Sequence, residues 1–188
     1  MSMEGSFIKK YILIPILALV VFVTFVSQAY ASSTVLWIPG AQQQRSLWCW
    51  AASSTSILSY FGKSVSQCDF VNHVKGLSSC NDLSATVQEA QGGMYDYGVS
   101  SNYYSGTLAF STIQTQINGS KPIYVSWAWT GNSSGHAVVI EGWNDSGGQY
   151  VDYMDPVDGT MHSMTFNAFC YDSTHSWRWG LKDMLKYK

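Results

Sequence analysis

Apolar positions along this chain keep two different periods, and the change from one to the other divides it. Residues 11–26 form an unbroken apolar run with no period at all. Beyond it, as far as residue 120, apolar residues fall mainly at helical spacing. Trp50, Ser54, Ile57, Leu58 and Phe61 recur on one stripe, with Ser46 the expected N-cap and Gly62 the stop. Phe70, Val71 and Val74 make residues 66–74 a short amphipathic stretch, and Leu83, Val87 and Ala90 predict a helix over 83–91. Residues 92–106, rich in Gly, Ser, Asn and Tyr, read as loop. A short helix is expected over 111–117, ended by Asn118-Gly119.

After Pro122 the period becomes two. Ile123, Val125, Trp127 and Trp129 share one face of an expected strand, and residues 137–140 are a continuous apolar run of the kind buried on both sides. Turn signals at 130–135, 144–148 and 155–159 separate further strands at 150–154, 160–166 and 177–181. Helices first and an antiparallel sheet afterwards predict an α+β domain in two lobes.

Lys9 and Lys10 precede the apolar run, and Ala29-Tyr30-Ala31 follows it with the small-x-small pattern of a signal-peptidase site. Residues 1–31 therefore read as a secretory signal peptide, leaving one domain over 32–188. The run is short against the ~20 residues of a membrane span, so cleavage is preferred to an uncleaved anchor. The product is expected to be secreted or periplasmic and, once cleaved, free of the membrane. Net charge is -2 and no Lys/Arg run occurs, which argues against a nucleic-acid partner. Eight tryptophans and twelve tyrosines imply either a large core or an aromatic-lined cleft.

Export places the four cysteines in an oxidising compartment. Cys68 and Cys80 are close in sequence, within and just after the amphipathic stretch, and are the expected disulfide. A zinc site from Cys68, His73 and Cys80 is the rival, but it lacks a fourth nearby ligand and Cys-x-x-Cys spacing. Cys170 has no evident partner. No metal or cofactor is expected.

Cys49 stands between Trp48 and Trp50 in the first turn of the first predicted helix. A cysteine among aromatics is most often a small buried hydrophobe, yet a helix N-terminus also favours the thiolate. The hairpin centred on residue 146 bears on this choice. Folded there, it sets His136 opposite residue 156, within one position of Asp155. A carboxylate so placed orients an imidazole and stabilises its charged form. Pro156 holds Asp155 extended, although Asp155 also suits an ordinary turn. His73, His162 and His175 are the competing histidines. His136 is preferred because it follows Gly135 and opens a buried strand.

The order Gln43, Cys49, His136, Asp155 resembles the papain-like cysteine peptidases. Cys49-Trp50-Ala51-Ala52 is similar to their nucleophile segment. Residues 135–143 resemble their histidine strand, and residues 153–156 the Asp-Pro ending of compact bacterial members. The likeness is greatest to small bacterial peptidases of the avirulence-effector type, and more distant to bacteriocin leader peptidases. It covers about residues 42–166. It implies a papain-like fold, a helical lobe carrying the nucleophile helix beside a β-sheet lobe. It also implies a monomeric thiol hydrolase acting on peptides or proteins through Cys49, His136 and Asp155. Gln43, six residues before Cys49, would be the oxyanion donor, chosen over Gln42 and Gln44 by that spacing. Trp48 or Trp50 would wall the cleft, with ordinary packing preferred for Trp50. Two departures are plain. The third member here is Asp155 where plant and lysosomal relatives carry asparagine, and residues 32–41 are too short for an inhibitory propeptide. The same constellation serves amide exchange, deamidation or other acyl transfer, and a non-catalytic aromatic-rich binding module is the reading of a different class.

Overall fold

The computed structural model describes residues 32–188. The expected signal peptide lies outside them. Among the described residues no helix is long and apolar enough to cross a membrane.

The helical part opens with α1, Cys49–Tyr60, which is buried from Trp50 to Leu58 on every side. Its middle is Ala51, Ala52 and four hydroxyl residues, small enough for neighbouring elements to close around it. Each hydroxyl finds a carbonyl, as buried polar groups must: Ser54 bonds Trp50 and Thr55 bonds Ala52 within the helix, while Ser53 and Ser56 reach out to Ala137 and Pro39. Gly62, at φ 76°, ends the run as expected. Ser46 is not the N-cap. Trp48 takes that position without a side-chain bond, and the Ser46 hydroxyl donates to Asp82 instead, 2.6 Å away.

Helix α2, Gln67–Lys75, is capped by Ser66 through Asp69 N–H and closed by Gly76 in the left-handed region. Cys68 and Cys80 are joined as a disulfide, with Asn72 beside both sulfurs and His73 turned to Asp96. Helix α3, Val87–Asp96, starts later and ends later than the apolar spacing predicted. Thr86 and Glu89 form a reciprocal capping box that sets its start. It then runs through Gly92 and Gly93, because at Gly93 any Cβ would strike Val74 and Phe70 of α2. Close helix packing, not a turn, is what that glycine serves. The remaining helices are α4, Phe110–Asn118, and a short α5, Phe166–Cys170, which the sequence did not signal.

The sheet has seven strands: β1, Ser33–Val35; β2, Val99–Ser105; β3, Ile123–Trp129; β4, Gly135–Asn144; β5, Tyr150–Asp155; β6, Thr160–Thr165; and β7, His175–Lys186. All pairings are antiparallel, in the order β2-β7-β3-β4-β5-β6, with β1 added against β4. Strands β1 and β2 fall where no strand was expected. The Ser-, Asn- and Tyr-rich β2 is an edge strand whose ladder with β7 overrides its composition.

Alternation along β3 and β4 feeds two cores. Tyr124, Ala137 and Val139 join Trp50, Leu58, Phe70 and Met94 on one face of the sheet. Ile123, Val125, Val138 and Ile140 join Phe110, Ile117, Trp143 and Phe169 on the other. Strand β4 is thus buried on both sides, and α1 lies directly against it.

Candidate active site

Cys49 is the first residue of α1, half-buried, at the wall of a cleft of about 980 Å³. Gln43, His136, Trp129 and Val157 line the same cleft, and among the described residues no Asp, Glu, Lys or Arg does. His136 enters from the second residue of β4. Gly135 lets that strand begin tight against β3, since a Cβ there would meet the Trp127 carbonyl. One turn into α1, the Ser53 hydroxyl donates to the Ala137 carbonyl at 3.1 Å. That bond ties the helix carrying Cys49 to the residue after His136.

Asp155 ends β5. The β4–β5 register differs from the expected one. Asn144 faces Tyr150, and Glu141 is an extra residue, so that beyond it Ile140 faces Tyr153 and Val139 faces Met154. Continued to the strand end, this sets Val138 opposite Asp155, so Asp155 meets His136 diagonally, on the same face, and not head-on. The reach suffices: His136 Nε2 and Asp155 Oδ1 are 2.7 Å apart. The same Oδ1 accepts the Val157 N–H at 2.9 Å, so Asp155 is both turn residue and imidazole partner.

Burial alone would push the His136 pKa down. The hydrogen bond to Asp155 and the Cys49 side chain outweigh it and lift His136 to about 9. Burial likewise pushes Asp155 up, but the bonds from His136 and Val157 hold it below the usual carboxylate range. An ionised Asp155 only accepts, so Nε2 carries the N–H and Nδ1 is left for Cys49. The competing histidines are engaged elsewhere: His162 with Asp158, and His175 beneath Trp127 with its rings stacked 4.0 Å apart.

Of the three adjacent glutamines, Gln43 lines the cleft. Its Nε2 donates to the carbonyls of Arg45 and Ser46, 3.0 Å each, so an oxyanion would compete for one of those hydrogens. Trp48 does not wall the cleft. It is 1% exposed, and its indole N–H donates to the Asn81 carbonyl. Trp50 is packed in the core, donating to the Leu83 carbonyl, although it touches the cleft from beneath. Trp129, one of several aromatic residues lining the cleft, stacks its ring on His136 at 5.7 Å and 16°.

Three contributors escaped the sequence reading: Trp129, Ser53, and Asp82, which takes the Leu47 N–H as well as the Ser46 hydroxyl just before Cys49. Ser53 and Asp82 find their partners far away in the chain, where nothing local announces them, whereas Trp129 reaches His136 across the β3–β4 hairpin. Among the described residues no cluster of His, Cys, Asp and Glu could hold a metal ion.

Residues 32–173 match the family model described as papain-like cysteine protease AvrRpt2. Among solved structures, the chain is similar to a double glycine motif protease from an AMS/PCAT transporter, in complex with its leader peptide. That match has 21% identity and a TM-score of 0.53, over 79% of this chain and 94% of that one. It is also similar to a putative C39-like peptidase from Bacillus anthracis, with 12% identity and a TM-score of 0.60, over 84% of this chain and all of that one. These structural likenesses show the fold, the α+β architecture of papain-like peptidases. Among curated protein sequences, none matches.

Proposed function

This chain belongs to the AvrRpt2 family of papain-like cysteine proteases, and from that premise we propose that it hydrolyses peptide bonds through Cys49, His136 and Asp155. The observation that carries the assignment is an imidazole held by a carboxylate at 2.7 Å beside a cysteine at a helix N-terminus. His136 Nδ1 takes the Cys49 proton, giving a thiolate–imidazolium pair. The thiolate attacks the carbonyl carbon, and the Gln43 side-chain N–H with the Cys49 backbone N–H receives the oxyanion. The imidazolium then protonates the leaving amine, and water, deprotonated by His136, releases the acid. Asp155 keeps the tautomer that this sequence of transfers requires.

The cleft suits an extended peptide, and the protein is read as a monomer acting on peptides or proteins. Residues 1–31 are proposed as an export signal, with the active enzyme outside the cytoplasm. Intact mass of the exported protein should correspond to a chain beginning at Ser32; a product retaining residues 1–26 in the membrane argues otherwise. For the chemistry, a peptide-library digest should yield new amino termini with wild type and none with Cys49→Ala. Equal digestion by both would sink the nucleophile assignment.

A further inference from the structure

The segment carrying Gln43 belongs to no helix or strand. Its position depends on what grips it. Gln67, the first residue of α2, is only 6% exposed, an unusual place for an amide side chain. Both ends of that amide are spent on this segment. Nε2 donates to the Gln42 carbonyl at 2.8 Å, and Oε1 accepts the Gln44 N–H at 3.0 Å. The two bonds straddle Gln43. From the opposite side the Pro156 carbonyl takes the Gln43 N–H at 2.7 Å. The clamp stands on rigid ground, since Ser66 caps α2 immediately before Gln67 and the Cys68–Cys80 disulfide follows at the next residue.

We propose that Gln67 is a positioning residue of the oxyanion hole. Its side-chain amide fixes the backbone on both sides of Gln43 and so aims the Gln43 amide at the carbonyl under attack. The proposal rests on the oxyanion role assigned to Gln43 above. A side chain with three rotatable bonds can present an N–H within hydrogen-bond reach of the oxyanion only if its own backbone is held. Without Gln67 the Gln42 carbonyl and the Gln44 N–H have no partner of their own, and the loop is free to settle elsewhere.

The experiment compares Gln67→Met, Gln67→Glu, Gln43→Ala and the double variant Gln43→Ala/Gln67→Met on the peptide cleaved fastest in the library digest. Gln67→Met keeps the length and loses both bonds. It should lower kcat by about tenfold or more, within the ~10²–10³ ceiling for an oxyanion donor, with KM little changed. In the Gln43→Ala background the same change should cost nothing further. Iodoacetamide labelling of Cys49, which forms no oxyanion, should proceed at the wild-type rate and certifies an intact site. Gln67→Glu supplies a sharper readout. Ionised, the carboxylate accepts from Gln44 but cannot donate to Gln42; protonated, it reproduces both bonds. Its activity relative to wild type should therefore recover as pH falls. An unchanged kcat in Gln67→Met, or an equal loss in the two backgrounds, overturns the clamp. A pH-independent ratio for Gln67→Glu does the same. A wild-type kcat in Gln43→Ala would overturn the oxyanion assignment itself, whatever Gln67 does.

Discussion

Replacing Asp155 by asparagine separates the charge of the proposed triad from its geometry. His136 Nε2–H and Val157 N–H both approach one oxygen, Oδ1, at 2.7 and 2.9 Å. An asparagine Oδ1 can accept both, so the turn and the ring orientation survive while the negative charge goes. The rise of His136 from 6.5 to about 9 represents about 3 kcal/mol of preference for the imidazolium. It is achieved against burial and shared between Asp155 and Cys49. An opposite charge at this range typically accounts for ~1–3 pH units. In the proposed mechanism the imidazolium is the form that protonates the leaving amine. The alkaline limb of kcat/KM is expected near pH 9 in wild type and should move down by about that amount in Asp155→Asn. The linkage to stability has the same sign. A histidine whose folded pKa exceeds its unfolded value contributes fully below about 6.5, and that contribution fades as pH rises through about 9. Wild type should thus lose stability across that window, and Asp155→Asn should lose less. The assay is kcat/KM from pH 5 to 10, with urea unfolding at the same pH values. A limb that stays at 9 in Asp155→Asn would refute the attribution to charge. Asp155→Ala removes charge and acceptor together, and should lower turnover while leaving Cys49 able to alkylate.

Further consequences follow from the cysteines and one buried acid. Burial lifts the Cys170 thiol to about 11, so iodoacetamide at mildly acidic pH should label Cys49 and spare Cys170, and His136→Ala should slow Cys49 towards an ordinary thiol. Peptide mass mapping reads both. Alanine at Cys68 and Cys80 should cost about 3 kcal/mol for a loop this short, seen as a lower urea midpoint. Glu141 is 3% exposed, and its Oε2 accepts the Ile38 N–H at 3.0 Å. Burial raises its pKa to about 7, the Ile38 bond opposes this, and Asp152 adds to it. An acid raised on folding is most favourable when protonated, so its contribution is present below about 4.5 and lost as pH climbs through about 7. Glu141→Gln, which keeps an acceptor for Ile38, should stabilise the protein at pH 8 and change little at pH 4. Equal effects at the two pH values would remove Glu141 as the cause.

What the sequence determined by itself was everything whose cause lies within one element or one tight turn. The helix before residue 62, the period of two after Pro122, and Cys49 in a first turn all follow from local spacing. The Cys68–Cys80 pair and the approach of His136 to Asp155 also belong here, because a short loop and one hairpin set them. Even so, the extra residue at Glu141 shifted the register by an amount no turn signal encodes. The tertiary structure alone decided the rest. Ser46 left its cap for Asp82, thirty-six residues on. Residues 99–105 became a strand because β7 offered a free edge, and α3 passed through Gly93 because α2 needed the space. Trp48 sank into the core, its indole N–H on the Asn81 carbonyl. Gln67 reached back to Gln42 and Gln44. Each of these is a contact between segments distant in the chain, where a side chain's partner is chosen by packing. Local propensity acts over a turn or two of backbone and carries no information about which remote carbonyl will be left without a partner.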